Sequence, residues 1–212
     1  MIKLNAKAYI FDFDGTMMHT IPLWRELDRI YLSRYDFELP HDLASAIEGL
    51  GYLDCARYFK DRFGIPDPEE VIIAEWLSMI HQLIVAHPLK EDVTRFLSQT
   101  RKPLAIATSN TRLIIEDVLK VNQLSDSFSV ITTSDEVGKS KPDPAVFLLA
   151  AHHLGIHPTD CVVFEDTTTG VLGAKRAGMT AIAVHDPSNH DWETTAASAD
   201  HAIFSFDELR ED

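Results

Sequence analysis

The chain has 212 residues, 45% apolar and 25% charged, which suits a soluble globular protein with one sizeable core and excludes a disordered or fibrous chain. Its 19 basic and 33 acidic residues give a formal charge of −14, so long-range electrostatics oppose nucleic acid and anionic membranes, and a phosphate-bearing ligand must be drawn in by a local site. Cys55 and Cys161 lie far apart with no metal or redox spacing, the N-terminus carries no signal-peptide pattern and no apolar run reaches a bilayer-spanning length. These features indicate reduced thiols in a cytosolic protein with no membrane or nucleic-acid partner.

The first predicted strand, Ala8 to Asp12, runs into Phe11-Asp12-Phe13-Asp14-Gly15-Thr16. Alternation along a strand points Asp12 and Asp14 to the same side, and Gly15 lets the backbone leave the sheet tightly. Two clustered carboxylates repel unless something positive lies between them, and a divalent cation is the natural third member. From Thr16 to about His87 the chain reads as successive helices, with segments at Pro22–Tyr35, His41–Ile47, Asp54–Phe63 and Pro68–Ala86. Turn signals at Glu38-Leu39-Pro40 and Gly64-Ile65-Pro66-Asp67-Pro68 separate them. This block is expected to be an α-helical cap, residues 17–86, inserted into a core made of 1–16 and 87–212.

After Pro88 a helix over Lys90–Thr100 resumes the alternation, and apolar, β-rich runs follow at Leu104–Thr108, Val130–Thr133, Cys161–Phe164, Ala181–Val184 and, more weakly, Ala202–Phe204. Strands without polar alternation, separated by helices, predict an α/β protein with a Rossmann-like parallel sheet covered by helices on both faces. In such sheets ligands collect beyond the carboxyl ends of the strands, and the polar residues fall there repeatedly. Thr108-Ser109-Asn110 closes one strand with donors suited to an anion or to capping the next helix. Gly138-Lys139-Ser140-Lys141-Pro142-Asp143-Pro144 carries two lysines, of which Lys141 is stiffened by the flanking prolines; spacing alone does not choose between them. Val162-Val163-Phe164-Glu165-Asp166 ends a further strand in paired acids before a helix rich in small residues, Gly173 to Gly178. With Asp12 and Asp14 at a neighbouring strand end, an oxygen-lined Mg²⁺ site accounts for them better than helix-dipole partners do.

Together these stretches resemble the haloacid dehalogenase-like hydrolase superfamily, whose motifs stand in order as Asp12-Phe13-Asp14-Gly15-Thr16, Thr108, Lys141-Pro142-Asp143-Pro144, and Glu165-Asp166 with Gly170 and Ala177-Gly178-Met179. The likeness is closest to the helical-cap branch of small-metabolite phosphatases and β-phosphoglucomutase-like proteins. It implies Asp12 as nucleophile and Asp14 as general acid and base. It further implies Gly15, Thr108, Ser109, Asn110 and Lys141 as phosphate ligands, and a Mg²⁺ site drawn from Asp12, Asp14, Glu165 and Asp166, with Glu165 acting directly or through water. The expected reaction is hydrolysis of a small phosphorylated metabolite, a sugar or polyol phosphate, through an aspartyl phosphate. Nothing in the sequence sets an oligomeric state, and a monomer is consistent with it.

Two positions depart from the family pattern. His19 stands where relatives commonly carry an acid, which changes the polar network at the hinge because histidine can donate and titrate. Tyr52, in Glu48-Gly49-Leu50-Gly51-Tyr52-Leu53-Asp54, aligns with the arginine that grips a second phosphate in β-phosphoglucomutase. A neutral hydroxyl replaces a charged fork there, favouring hydrolysis over mutase chemistry, although Arg57 lies within reach as a substitute. A non-catalytic phospholigand-binding protein is the alternative of another class; a degenerate member would be expected to lose the nucleophile or a metal acid, and this chain keeps them. His152-His153, His185 and His190 lack the spacing of a ligand set.

Overall fold

A computed structural model describes residues 1–211. The chain opens with β1 (Ile2–Leu4) and β2 (Ala8–Phe11), then forms four consecutive helices, α1 (Ile21–Ser33), α2 (Leu43–Ile47), α3 (Tyr52–Phe63) and α4 (Glu69–Ala86). Gly64, in the left-handed region at φ 66°, ends α3, and His87, forced to extended backbone by the following Pro88, ends α4. The remainder alternates: α5 (Glu91–Gln99), β3 (Leu104–Thr108), α6 (Arg112–Val121), β4 (Val130–Thr133), α7 (Ser134–Val137), α8 (Ala145–Leu154), β5 (Cys161–Glu165), α9 (Thr168–Arg176), β6 (Thr180–Val184), α10 (Trp192–Ser198), β7 (His201–Ile203) and β8 (Leu209–Glu211).

Six strands form one parallel sheet in the order β4-β3-β2-β5-β6-β7. The chain builds outward from β2 on one side through β3 and β4 and then on the other through β5 to β7, so β2 lies at the switch point where ligand sites arise in open α/β sheets. Phe11 pairs with Ile106 on β3 and Phe164 on β5, which brings the carboxyl ends of these three strands side by side. Asp12, Thr108 and Glu165 follow or end them.

The two faces of the sheet are packed differently because alternate residues on each strand differ in size. Tyr9, Phe11, Leu104, Ile106, Val162, Phe164 and Ile182 belong to one buried cluster together with Phe96 of α5 and Ile114, Ile115 and Val118 of α6. Aromatic contacts dominate it, Phe11–Phe164 and Phe164–Phe206 each having ring centroids 4.9 Å apart. The opposite face presents Ala8, Ala105, Ala107, Ala181 and Ala183, small enough for Phe147 of α8 and Val171 and Ala174 of α9 to pack close to the strands. The first cluster continues without a break into the helices of residues 21–86 through Leu27, Tyr31, Phe59, Trp76 and Ile80.

Several elements escape the sequence pattern. Ile2–Leu4 pairs in parallel with Leu209–Glu211 as a separate two-stranded sheet, α10 occupies Trp192–Ser198, and α3 starts at Tyr52, two residues before the sequence places it. No single helix among the described residues is long and apolar enough to cross a membrane.

Candidate active site

Asp12 leaves β2 with its N–H still bonded to the Phe164 carbonyl at 2.9 Å, so its position is set by the sheet. Its carboxylate accepts from Lys141 Nζ at 2.6 Å, and the same ammonium donates to Glu165 Oε1 at 2.6 Å. Lys141 is buried, at 4% exposure, whereas Lys139 is exposed and pairs with Asp143 at 3.1 Å. Of the two lysines that spacing left open, Lys141 is therefore the one inside the site. Burial works against its charge, but Asp12 and Glu165 outweigh that and raise its proton affinity, so it remains an ammonium.

Asp12, Glu165 and Asp166 each offer a carboxylate oxygen within 4.8 Å of the others, and all are buried. Burial, reinforced by Glu165, pushes the Asp12 carboxyl well above the usual carboxylate range against the pull of Lys141. Burial and the neighbouring Glu165 and Asp12 do the same to Asp166. An all-oxygen, hard, anionic donor set whose members repel one another fits a divalent cation such as Mg²⁺. The close fit of Gly15 and Asp166 belongs to this arrangement: Gly15 sits at φ +79°, and a Cβ there would lie 1.9 Å from Asp166 Oδ2, so only glycine leaves that carboxylate its place. Thr16 Oγ1 donates to Asp166 Oδ1 at 3.3 Å, and Asn189 Nδ2 donates to its carbonyl at 2.6 Å.

Asp14, expected among the metal acids, has its carboxylate outside this three-acid group. Oδ1 accepts from Thr20 Oγ1 at 2.5 Å and from the Trp24 indole N–H at 2.9 Å, and Oδ2 accepts from Asn110 Nδ2 at 2.8 Å. Burial raises its proton affinity while these donors oppose that. Asn110 is itself oriented by the buried Tyr52, whose hydroxyl donates to Asn110 Oδ1 at 2.8 Å. Tyr52 and Asn110 both line the cavity, and the Tyr52 hydroxyl is engaged there by Asn110. Ser109 Oγ donates to the Gly49 carbonyl at 3.0 Å, and Thr108 Oγ1 accepts from the Asn110 N–H at 3.0 Å. Of the expected phosphate ligands, Lys141 meets Asp12 from the loop before α8 and Thr108, at the end of β3, lines the same cavity, while the side chains of Ser109 and Asn110 are engaged by residues 49 and 14.

His19 also acquires a role. Its Nδ1 is 2.7 Å from Oδ2 of the fully buried Asp186, which also faces Lys90 Nζ at 3.4 Å; Lys90 in turn donates to the Gly15 carbonyl. Burial acts to raise Asp186, but the Ser188 N–H, His19 and Lys90 together hold its carboxyl below the usual range. An acid at position 19 would meet Asp186 as a like charge, so histidine suits this neighbour. Among the described residues no histidine joins the acidic group; His190 Nε2 instead lies 3.0 Å from Arg25 Nη1.

No local motif in the sequence marks Thr20, Trp24, Lys90, Asp186 or Asn189. The helix α9 packs against Glu165 through Gly170, where a Cβ would lie 1.8 Å from Glu165 Oε1. That carboxylate cannot swing aside, being fixed by Lys141 and by the Thr167 N–H and hydroxyl at 3.0 and 2.9 Å. Gly170→Ala is expected to destabilise the fold by about 1–3 kcal/mol, the scale of overpacking; an unfolding curve superimposable on that of the parent would contradict the packing described.

A cavity of about 500 Å³ runs from Asp12, Asp14 and Lys141 into the space enclosed by α1, α3 and α4. The chain is similar to known proteins. Residues 9–184 match the family model described as haloacid dehalogenase-like hydrolase. A fructose-1-phosphate phosphatase of Escherichia coli strain K12 is 33% identical over 187 residues, covering 82% of this chain and 94% of that one. A bifunctional riboflavin kinase/FMN phosphatase of Arabidopsis thaliana is 30% identical over 213 residues, covering 99% of this chain but 56% of that longer protein. The crystal structure of CbbY from Rhodobacter sphaeroides in complex with phosphate shares the fold, with a TM-score of 0.86, 23% identity and 97% coverage of both chains. The chain belongs to the haloacid dehalogenase-like hydrolase family.

Proposed function

We propose that this protein is a Mg²⁺-dependent phosphatase that hydrolyses the monoester of a small sugar or polyol through a phosphoryl group carried on Asp12. The observation that carries the reading is the convergence on Asp12 of a buried ammonium and two further buried acids. Asp12, Asp166 and, directly or through water, Glu165 would hold the metal, which supplies charge neutralisation for a carboxylate approaching a dianionic ester. Asp12 attacks phosphorus, Lys141 and Thr108 stabilise the equatorial oxygens, and Asp14 protonates the leaving alkoxide. Asp14 then takes a proton from the water that attacks the acyl phosphate. Thr20, Trp24 and the Tyr52–Asn110 pair hold Asp14 for both steps.

In this reading residues 17–86 are the cap and the remainder is the core. The loop before α3 supports it: Glu48 accepts from the Thr169 N–H and hydroxyl at 3.2 and 3.1 Å, and the Gly51 N–H donates to Ser140 Oγ at 3.1 Å. These bonds draw the helical segment down over the strand ends, which shelters an acyl phosphate from bulk water. The same enclosure disfavours phosphoprotein substrates.

The test supplies a panel of small monoesters, including β-glucose 1-phosphate with and without a bisphosphate activator, and follows free phosphate and isomer. Phosphate release that requires Mg²⁺ and stops on chelation is expected. Full turnover in excess chelator with no metal retained contradicts the metal site. Activator-dependent isomerisation with negligible phosphate release replaces the phosphatase by a mutase, and binding without turnover replaces it by a phospholigand-binding protein.

A further inference from the structure

The cavity extends well beyond what a phosphoryl group needs, and its upper wall has a specific chemistry. Ile21, Trp24, Arg25 and Asp28 of α1 all line it, as their spacing on one helical face requires. Trp24 reaches Asp14 with its indole N–H. Asp28 stands one turn further on, about 6 Å along the helix axis at 1.5 Å per residue. Facing it are Cys55 and Phe59 of α3 and Trp76 of α4, a wall that is apolar and aromatic. The Asp28 carboxylate makes no hydrogen bond or ion pair with any described side chain, and Arg25 is the charge that favours its ionised form against burial, which pushes it up to about 7. Trp76 is 4% exposed, and its indole N–H is buried without a partner.

A few polar groups in an otherwise apolar pocket fix a ligand's orientation, because leaving them unpaired on binding is costly. The kind of group that satisfies Asp28 follows from charge. Glu48 also lines the cavity, and the cation nearby, Arg25, is exposed and shared with His190, so a second phosphate finds no buried counter-charge there. Hydroxyl groups, which donate without bringing negative charge, match this wall.

We propose that Asp28 is a specificity-determining residue that accepts hydrogen bonds from hydroxyls of an uncharged, polyhydroxylated leaving group, about one helical turn from the ester oxygen that Asp14 protonates. This assignment rests on the phosphatase reading above and names the substrate end that the cap side of the cavity selects. It also separates the role of Asp28 from that of Trp24 on the same helix: Trp24 serves the reacting end and Asp28 the distal end.

The experiment compares glucitol 6-phosphate, erythritol 4-phosphate and glycerol 3-phosphate with hexyl, butyl and propyl phosphate, matched in length but lacking hydroxyls, for the parent enzyme, Asp28→Asn and Asp28→Leu in Mg²⁺. The parent enzyme is expected to favour at least one hydroxylated ester over its alkyl partner. Asp28→Leu should reduce that kcat/KM ratio about 10- to 100-fold, the scale of a hydrogen bond to a charged group, mainly through KM, and the near-isosteric Asp28→Asn should reduce it less. Thermal unfolding of both variants separates this from loss of fold. Phosphate release with no preference for hydroxylated esters, or a loss shared equally by both substrate series, overturns the assignment while leaving the phosphatase reading intact. No phosphate release by the parent enzyme from any ester defeats that reading and the assignment with it.

Discussion

Asp12→Asn is expected to reduce turnover by on the order of 10⁴-fold or more, the scale seen when a covalent nucleophile is removed, while the folded state survives. The amide has almost the same shape but cannot attack phosphorus to form an acyl phosphate. Survival of the fold follows from the electrostatics of the site: Asp12 is buried beside Glu165 and Asp166, so neutralising it relieves repulsion, and Lys141 keeps Glu165 as its partner at 2.6 Å. Asp14→Asn should behave differently, with a loss of about 10²–10⁴-fold on alkyl esters, the usual range for general acid and base catalysis. On an aryl phosphate, whose leaving group needs no proton, the first step should persist and the second should stall. Equal losses in both variants on an activated ester, with no phosphorylated enzyme accumulating in Asp14→Asn, would contradict this division of labour.

Lys141→Met should impair both stability and catalysis. Removing one partner of a buried ion pair leaves the other charge uncompensated and costs about 3–5 kcal/mol, and here two carboxylates, Asp12 and Glu165, lose the same ammonium. Loss of the charge proposed to meet the phosphoryl oxygens should lower kcat by a further ~10²–10³-fold. The stability deficit has a sign that can be checked. Without Lys141 the carboxyls of the folded protein bind protons more readily than those of the unfolded chain, so the deficit shrinks as pH falls and they protonate. Added Mg²⁺ should restore part of it at neutral pH. Denaturant unfolding of the parent and variant at two pH values, with and without the ion, measures all three effects; unchanged stability at neutral pH would remove Lys141 from its structural role.

The sheet was legible from sequence because its strands are short apolar runs without polar alternation, separated by helical patterns, as in Ala8–Phe11 and Leu104–Thr108. The acids at the strand ends were legible because they recur together at neighbouring strand ends, Asp12 and Asp14 at one and Glu165 and Asp166 at another, where a single pair is explained as well by capping. The direction in which Asp14 turns was not. It depends on Thr20 and Trp24, brought by the first turns of α1, and on an amide of a different strand end. Ile2–Leu4 escaped because three residues form no pattern until paired with Leu209–Glu211 at the far end of the chain. His19 was visible as a departure from the family, but its partner Asp186 lies 167 residues away and nothing local connects them. Tyr52 stands out in sequence for the arginine it replaces, whereas its contact is with Asn110, a long-range bond that spacing does not encode.

Asp12 is proposed to carry the phosphoryl group. Mixing Asp14→Asn with an aryl phosphate in Mg²⁺, quenching in acid and measuring peptide masses after digestion tests it most directly. One added phosphoryl group is expected on the peptide containing Asp12, labile to hydroxylamine and absent when Asp12→Asn is combined with Asp14→Asn. Release of the aryl group with no label on that peptide, or a label on any other residue, would contradict it.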